Sequence, residues 1–504
     1  MDPKNKRLKF LSSSSWTTIG PMILHLSLAV PLSSALCIWV DEVYTMHTIR
    51  GSLGYTLGRA LNFEMQPPLY FLLMNLWAKL GSSVFFLRLF SLLCVILMIG
   101  VTSRISRRVF PEIHPGWLTT AVAVNPYSIW ASTEIRLYAF LALLSAVVFL
   151  TFYEGFLLDD ASSSKKRKWF FLFCVLSFYT QYYMVFVFAA LFLALLILKK
   201  WDALKRLLVS YLCVGAFSLP IFMAALRQTM SHMRFIRIHN DILNYLSVGT
   251  RFLRYPLRLD WMPATIYMIF YALCLSGMLI VILKYRKSIQ ARHGMIWIMT
   301  LAITAFFLVI MNILNYELVS ITHSTVLFLP SLLALFSIAS IIPDRKRKRV
   351  LILIFLLTLA ANAAYLLAEY RSMAKFGDFE RVAEFITQRE SPGQDILVFT
   401  SNEALPFTHY YAGKNVVIPI PHVASETSYD VNDFVLKSEQ ELVAAIERKG
   451  VPPDRIWVIT RSLCQYIGVD FHCSILEEYL DKNFTIEDDK KFYGSRARLV
   501  RRTK

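Results

Sequence analysis

Charge is scarce in this chain. Only 17% of its 504 residues are Asp, Glu, Lys or Arg, while 56% are apolar; soluble domains carry about a quarter charged residues. That deficit excludes a multidomain soluble protein of this length. Acids are the scarcer sign: residues 1–369 hold 35 basic and 15 acidic residues, whereas residues 370–504 hold 18 and 20. The net charge of +18 is therefore concentrated among apolar runs, the mark of a polytopic membrane protein rather than a nucleic-acid binder. Also missing are a Walker loop, a GxGxxG before a helix and any Cys/His metal spacing, which removes an ATP-driven pump and an obvious nucleotide-sugar site. No internal repeat is visible.

Apolar runs long enough for about 30 Å of hydrocarbon fall at 19–40, 85–103, 116–132, 138–158, 169–182, 184–198, 207–226, 263–283, 294–313, 324–342 and 349–368. Basic clusters at 4–9, 104–108, 165–168, 199–206, 284–292 and 345–349 separate them. All six share one side of the membrane if the chain crosses eleven times with its N-terminus inside. The expected fold is thus mainly α, a polytopic helix bundle over 1–369 oriented N-in and C-out. The first span reads as an uncleaved helix, since no small-x-small site precedes Asp41-Glu42. Beyond residue 370 short apolar runs at 395–400, 416–420 and 455–460 alternate with helical patterns at 379–389, 439–449 and 475–482. This predicts a small α/β domain over 370–504, placed outside. Cys464 and Cys473 lie in it, as a short-loop disulfide or two free thiols.

On this topology eight acids of the first 369 residues face outward: Asp41, Glu42, Glu64, Glu134, Asp241, Asp260, Glu317 and Glu369. Acids near a membrane are costly and mark either function or a satisfied pair. Asp41-Glu42 follows the first span directly, where carboxylates oppose a helix C-terminal dipole, so capping does not account for them. The outer loop 41–86 contains two amphipathic stretches, 52–61 and 68–80, separated by Gln66-Pro67-Pro68 and read as interfacial helices. Glu134-Ile135-Arg136-Leu137-Tyr138 forms a second outward group, and a weak surface ion pair is its bland reading. The loop 227–260 carries six arginines, Arg227, Arg234, Arg237, Arg251, Arg254 and Arg258; solvation explains most, and one or two suit a phosphate clamp.

Several segments resemble, in order, the GT-C membrane glycosyltransferases, in the bacterial branch similar to protein O-mannosyltransferases and lipid A aminoarabinose transferases. They are DEVYTMHTIRG (41–51), QPPLYFLLMNLW (66–77), FLRLFSL (86–92) and NPYSIWASTEIRLYA (125–139), with weaker matches at YTQYY (179–183) and HSTVLFLP (323–330). The resemblance implies an inverting hexosyl- or pentosyltransferase that takes a monosaccharide from a polyprenyl-phosphate donor. The acceptor would be a cell-envelope glycan, lipid or protein at the outer face of the plasma (inner) membrane. It maps the catalytic base to Asp41, with Glu42 a second candidate. It places Arg136 and Gln66 near the donor phosphate, supported by Glu134, Tyr138, Pro67 and Pro68. The family commonly has His or Lys where this chain has Gln66, and Arg-Tyr where it has His323-Ser324, so Arg59, His323 or the 227–258 arginines are expected to supply the missing cation. No cofactor is required, and a divalent metal is left open. The competing class, a transporter or flippase of lipid-linked sugars, predicts inverted repeats and midplane charges, neither of which is seen.

Overall fold

The computed structural model describes residues 3–158, 162–232, 252–259, 261–291, 293–314, 323–341, 344–423, 425, 427–447, 454–466 and 469–503. Asp241, Asp260 and Glu317, with Arg234, Arg237 and Arg251, lie outside these, as does the side chain of His323. The chain divides into two units. One comprises residues 1–34 and 66–369, and the other comprises 35–65 and 370–504. The sequence division left 35–65 with the membrane bundle; here the segment packs with the C-terminal residues instead.

The first unit is helical, and a helix stands at every span anticipated from the sequence. Its elements begin with α1 (Pro3–Ala35), which continues beyond the unit by one residue. Skipping α2 and α3 of the second unit, α4 (Leu69–Ala78) and α5 (Val84–Val109) follow. Ser83 caps α5 by accepting from the Phe86 amide, and Arg107 and Arg108 complement the dipole in its last turn. The expected span 116–132 is broken into α6 (Gly116–Ala123) and α7 (Pro126–Ser132). Asn125 causes the break: its side chain caps α7 through the Tyr127 amide at 2.9 Å, and Pro126 occupies the first helical position. Next come α8 (Tyr138–Phe152), α9 (Ser163–Phe178), α10 (Met184–Ile197) and α11 (Trp201–His232). Helices Ala264–Lys284, Gly294–Ile313, Phe328–Ala339 and Asp344–Glu369 complete the unit.

Among the described residues seven helices are long and apolar enough to cross a membrane; Leu69–Ala78, Met184–Ile197 and Ser324–Ala339 are shorter apolar ones. This is a multi-pass membrane protein. The centre of the unit is α8, packed on α5 and α9 and continued by a π-helical turn, Tyr153–Leu157. That turn carries buried Glu154, which is held by Arg104 at 2.8 Å, Lys166 at 3.2 Å and Arg108 at 3.6 Å. Helices Ala264–Lys284 and Asp344–Glu369 instead leave Leu273, Ile280, Leu283, Leu353 and Leu357 exposed, as a lipid-facing surface requires.

In the second unit α2 (Val40–Ile49) and α3 (Leu53–Asn62) form a helical hairpin, Ser52 capping α3. The latter helix is the first interfacial helix expected from sequence; α4 is the second. The C-terminal residues form a five-stranded sheet in the order β2-β1-β3-β7-β6. Strands β1 (Ile396–Phe399), β2 (Val417–Ile420) and β3 (Arg455–Arg461) are parallel and coincide with the three expected runs. A two-stranded ribbon, β4 (Gln465–Tyr466) and β5 (Val469–Asp470), comes next. Helix Cys473–Asn483 then leads into a hairpin of β6 (Phe484–Phe492) and β7 (Ser495–Arg502), which extends the sheet antiparallel from β3. The core joins Phe379, Val382, Phe385 and Ile386 of helix Phe379–Thr387 to Ile396, Val398, Trp457 and Ile459 of the sheet. Cys464 and Cys473 form a disulfide, their Cα atoms 5.8 Å apart.

Gly494 makes the turn between β6 and β7 with φ +85°, and a Cβ there would stand 2.7 Å from the Gly377 backbone nitrogen. Both the backbone conformation and the space exclude a side chain. Gly494→Ala is expected to destabilise this unit by about 2 kcal/mol or more, read as a lower melting temperature of the purified protein.

Asp378, which precedes helix Phe379–Thr387, is buried in a left-handed conformation (φ 46°). Burial raises its carboxyl from 3.8 to about 6, against the pull of Arg381 at 3.3 Å. A carboxyl whose folded pKa is raised costs stability as pH rises through about 4 to 6, because the unfolded chain ionises first. Asp378→Asn should therefore stabilise the protein at pH 7 by about 3 kcal/mol, a net figure that already includes the opposing pull of Arg381. Asn also tolerates the left-handed conformation. The gain should vanish near pH 4, and thermal denaturation across that range measures it.

Candidate functional site

The proposed catalytic pair lies at the start of α2. Helix α1 has already ended at Ala35, and Asp41 and Glu42 occupy the first turn of a new helix. The sequence argument from an unfavourable dipole is thereby reversed: carboxylates there face the positive end of α2. The two differ sharply in environment. Glu42 is fully buried and accepts from Lys375 Nζ at 2.7 Å, with Lys375 itself only 9% exposed. Asp41 is half-buried. A carboxylate sealed against an ammonium has no path to a substrate proton, whereas a part-exposed one has.

The surroundings of α2 are aromatic and acidic. The rings of Tyr44, Phe63 and Tyr429 pack edge to face at 4.9–6.2 Å. Burial, and secondarily the fields of Tyr429, Asp41, Glu403 and Glu64, pushes the Tyr44 hydroxyl well above its usual pKa, so it stays a neutral donor. Glu403, just after β1, is buried beside Arg461 at 3.4 Å; burial raises its pKa and Arg461 partly offsets this. Arg59 is drawn into the α2–α3 hairpin, donating from Nε to Thr48 Oγ1 at 3.2 Å and covering the Phe63 ring at 4.0 Å. Thr48 in turn donates to Glu64 at 2.9 Å.

The remaining expected residues belong to the membrane unit. Glu134 and Arg136 are not a surface pair: residues 131–139 are buried throughout, with Glu134 1% and Arg136 7% exposed. Ionisable groups buried in an apolar bundle are costly and need partners. The turn is held by Ser91, which donates to the Glu134 carbonyl at 2.7 Å. Tyr138 stacks on Trp130 at 4.7 Å, and its carbonyl accepts from the Tyr127 hydroxyl at 3.3 Å. Tyr127 also packs on Tyr255 and Phe328, so the segments 125–139 and 323–330 meet although they are far apart in sequence. Backbone at His323 opens a 3-10 turn, His323–Leu327, and Ser324 hydrogen-bonds Tyr255 at 3.0 Å.

Gln66 is half-buried, with a buried Oε1 that has no hydrogen-bond partner among the described residues, and Pro67 and Pro68 are buried. The start of α4 is pinned by the Leu69 amide to the Tyr179 carbonyl at 3.0 Å. Two loop arginines have tyrosine partners: Arg254 lies over Tyr267 at 5.5 Å and Arg258 over Tyr365 at 4.5 Å. Among the described residues no group of three His, Cys, Asp or Glu could hold a metal.

Sequence reasoning did not single out Arg88, Lys375 or His25. Arg88, within the FLRLFSL segment, is completely buried and donates to the Ser33 carbonyl at 3.0 Å. Its signal was an arginine inside an otherwise apolar span. His25 is fully buried with both ring nitrogens satisfied, by the Ala123 carbonyl at 2.8 Å and Ser132 Oγ at 2.7 Å. It serves packing between α1 and the α6–α7 break. Nothing in the sequence links Lys375 to Glu42.

No family model matches the chain, and no curated protein matches it. Among solved structures it is similar to ArnT from Cupriavidus metallidurans in the apo state, at 12% identity and a TM-score of 0.43, covering 95% of this chain and 98% of that one. It is likewise similar to the same protein bound to undecaprenyl phosphate, at 12% identity and a TM-score of 0.42, covering 99% and 98%.

Proposed function

We propose that the chain is an integral membrane glycosyltransferase that moves one sugar from a polyprenyl-phosphate donor to a cell-envelope acceptor. The reaction takes place at the outer face of the plasma membrane, with eleven crossings oriented N-in and C-out. The observation that carries this reading is the contrast at the start of α2: Glu42 is fully buried against Lys375, and Asp41 beside it is only half-buried.

In the reaction an acceptor hydroxyl oxygen attacks the anomeric carbon, the bond from that carbon to the phosphate oxygen breaks, and the configuration inverts. The hydroxyl proton passes to Asp41. Polyprenyl phosphate leaves as an anion and needs no general acid, but its charge needs donors already in place. Arg136 is the cation assigned to it, with Gln66 donating from its amide and the Glu134–Tyr138 turn supplying the rigid frame. The disulfide Cys464–Cys473 agrees with an exported C-terminal unit, since such bonds persist in oxidising compartments.

The test is release of polyprenyl phosphate by the purified protein in proteoliposomes offered a panel of lipid-linked sugars and an envelope extract. Release from one donor, with label appearing in an acceptor, supports the reading. Movement of labelled lipid between leaflets without release would replace it with a flippase.

A further inference from the structure

Within the second unit, the residues after 370 hold the entry to α2 at three points. Lys375 Nζ meets Glu42 at 2.7 Å. The Lys375 carbonyl accepts from Cys37 Sγ at 3.8 Å. The hydroxyl of Tyr410 accepts from the Ile38 amide at 2.8 Å. Lys375 thus grips the segment on both sides of Asp41, with its carbonyl at residue 37 and its ammonium at residue 42. The ion pair spans 333 residues of sequence, and both partners are almost fully removed from solvent.

Neighbouring residues on a helix project about 100° apart, so fixing the Glu42 side chain fixes the direction of Asp41. The pair also cancels the charge of one of two adjacent carboxylates, leaving Asp41 without an uncompensated anion next to it. We infer that Lys375 is a positioning residue for the transfer reaction, aiming Asp41 at the acceptor hydroxyl through its ion pair with Glu42. This rests on the reading of Asp41 as the base. Alignment of a base contributes to kcat rather than to donor affinity, because a small misplacement weakens the transition state more than the bound ground state.

The experiment compares Lys375→Met, Lys375→Arg and the double variant Glu42→Gln/Lys375→Met with wild type. It uses full-length protein in proteoliposomes and reads kcat and donor KM from polyprenyl-phosphate release. Lys375→Met should lower kcat at least tenfold with donor KM within twofold, and Lys375→Arg should recover most of the loss. A folded Lys375→Met protein with wild-type kcat, or a loss that Arg leaves unrepaired, overturns the inference. Should Lys375→Met fail to fold, the double variant decides, since it buries no unpaired charge. A kcat at least fivefold below wild type supports positioning, and wild-type kcat refutes it. Asp41→Asn, run alongside, separates this outcome from failure of the underlying reading: if that variant keeps activity, the base assignment falls and the inference with it.

Discussion

Asp41→Asn should abolish sugar transfer while leaving the protein folded and inserted. The amide keeps the size and hydrogen-bonding reach of the carboxylate but does not accept the acceptor proton at neutral pH, and removal of a positioned base costs about 10²- to 10⁴-fold. Asp41→Asn leaves Glu42 and Lys375 themselves unchanged, so their buried ion pair at 2.7 Å is retained. The measurement is the single-turnover rate of polyprenyl-phosphate release, with the melting temperature as control. Glu42→Gln should lower the rate less, and should lower stability more, since it leaves the Lys375 ammonium buried without its carboxylate. Activity of Asp41→Asn within a few-fold of wild type would remove the base from the proposed mechanism.

Replacement of Arg136 by Ala should act on the donor. Its guanidinium lies in a buried turn whose backbone is held by Ser91 and whose next aromatic, Tyr138, is stacked on Trp130. A charge-assisted contact to a phosphate is worth about 1.5–3 kcal/mol, so donor KM should rise roughly 10- to 150-fold. Acceptor KM should stay unchanged; a defect confined to the acceptor would contradict the phosphate role. Lys at this position restores charge without the planar fork, and should recover only part of the loss.

Much of this architecture was legible in the sequence because its signals were local. The three parallel strands announced themselves as short apolar runs between helical patterns, and Gln66-Pro67-Pro68 separated α3 from α4 by proline sterics alone. The α6–α7 break was hidden inside a continuous apolar run, although Asn125-Pro126 is a capping signature that points to it. The β6–β7 hairpin was not foreseen, since IEDDKKFYGSRARLVRR reads as a solvated charge run. Its strands are instead joined by cross-strand pairs such as Asp489 with Arg496 at 2.7 Å, and only Tyr493-Gly494 betrays the turn. At the site, the resemblance put Asp41 ahead of Glu42 as the expected base, but the difference in their burial was not legible. That distinction depends on Lys375, a contact that no local pattern encodes. The burial of Glu134 and Arg136 was missed for a related reason: a short polar turn between two spans looks wet until the surrounding helices are known.

The discontinuous make-up of the second unit has a consequence for biogenesis. Residues 35–65 are synthesised early, but the partners that complete their packing begin at residue 370. At ribosomal rates of about 5–20 residues per second, the intervening stretch takes on the order of tens of seconds to emerge. Throughout that interval the α2–α3 hairpin is an orphan, with Glu42 lacking its countercharge. On the proposed function, competence for catalysis is then reached only after residues from 370 onward have docked on the hairpin. A nascent chain interrupted anywhere within the membrane bundle would be inserted yet inert.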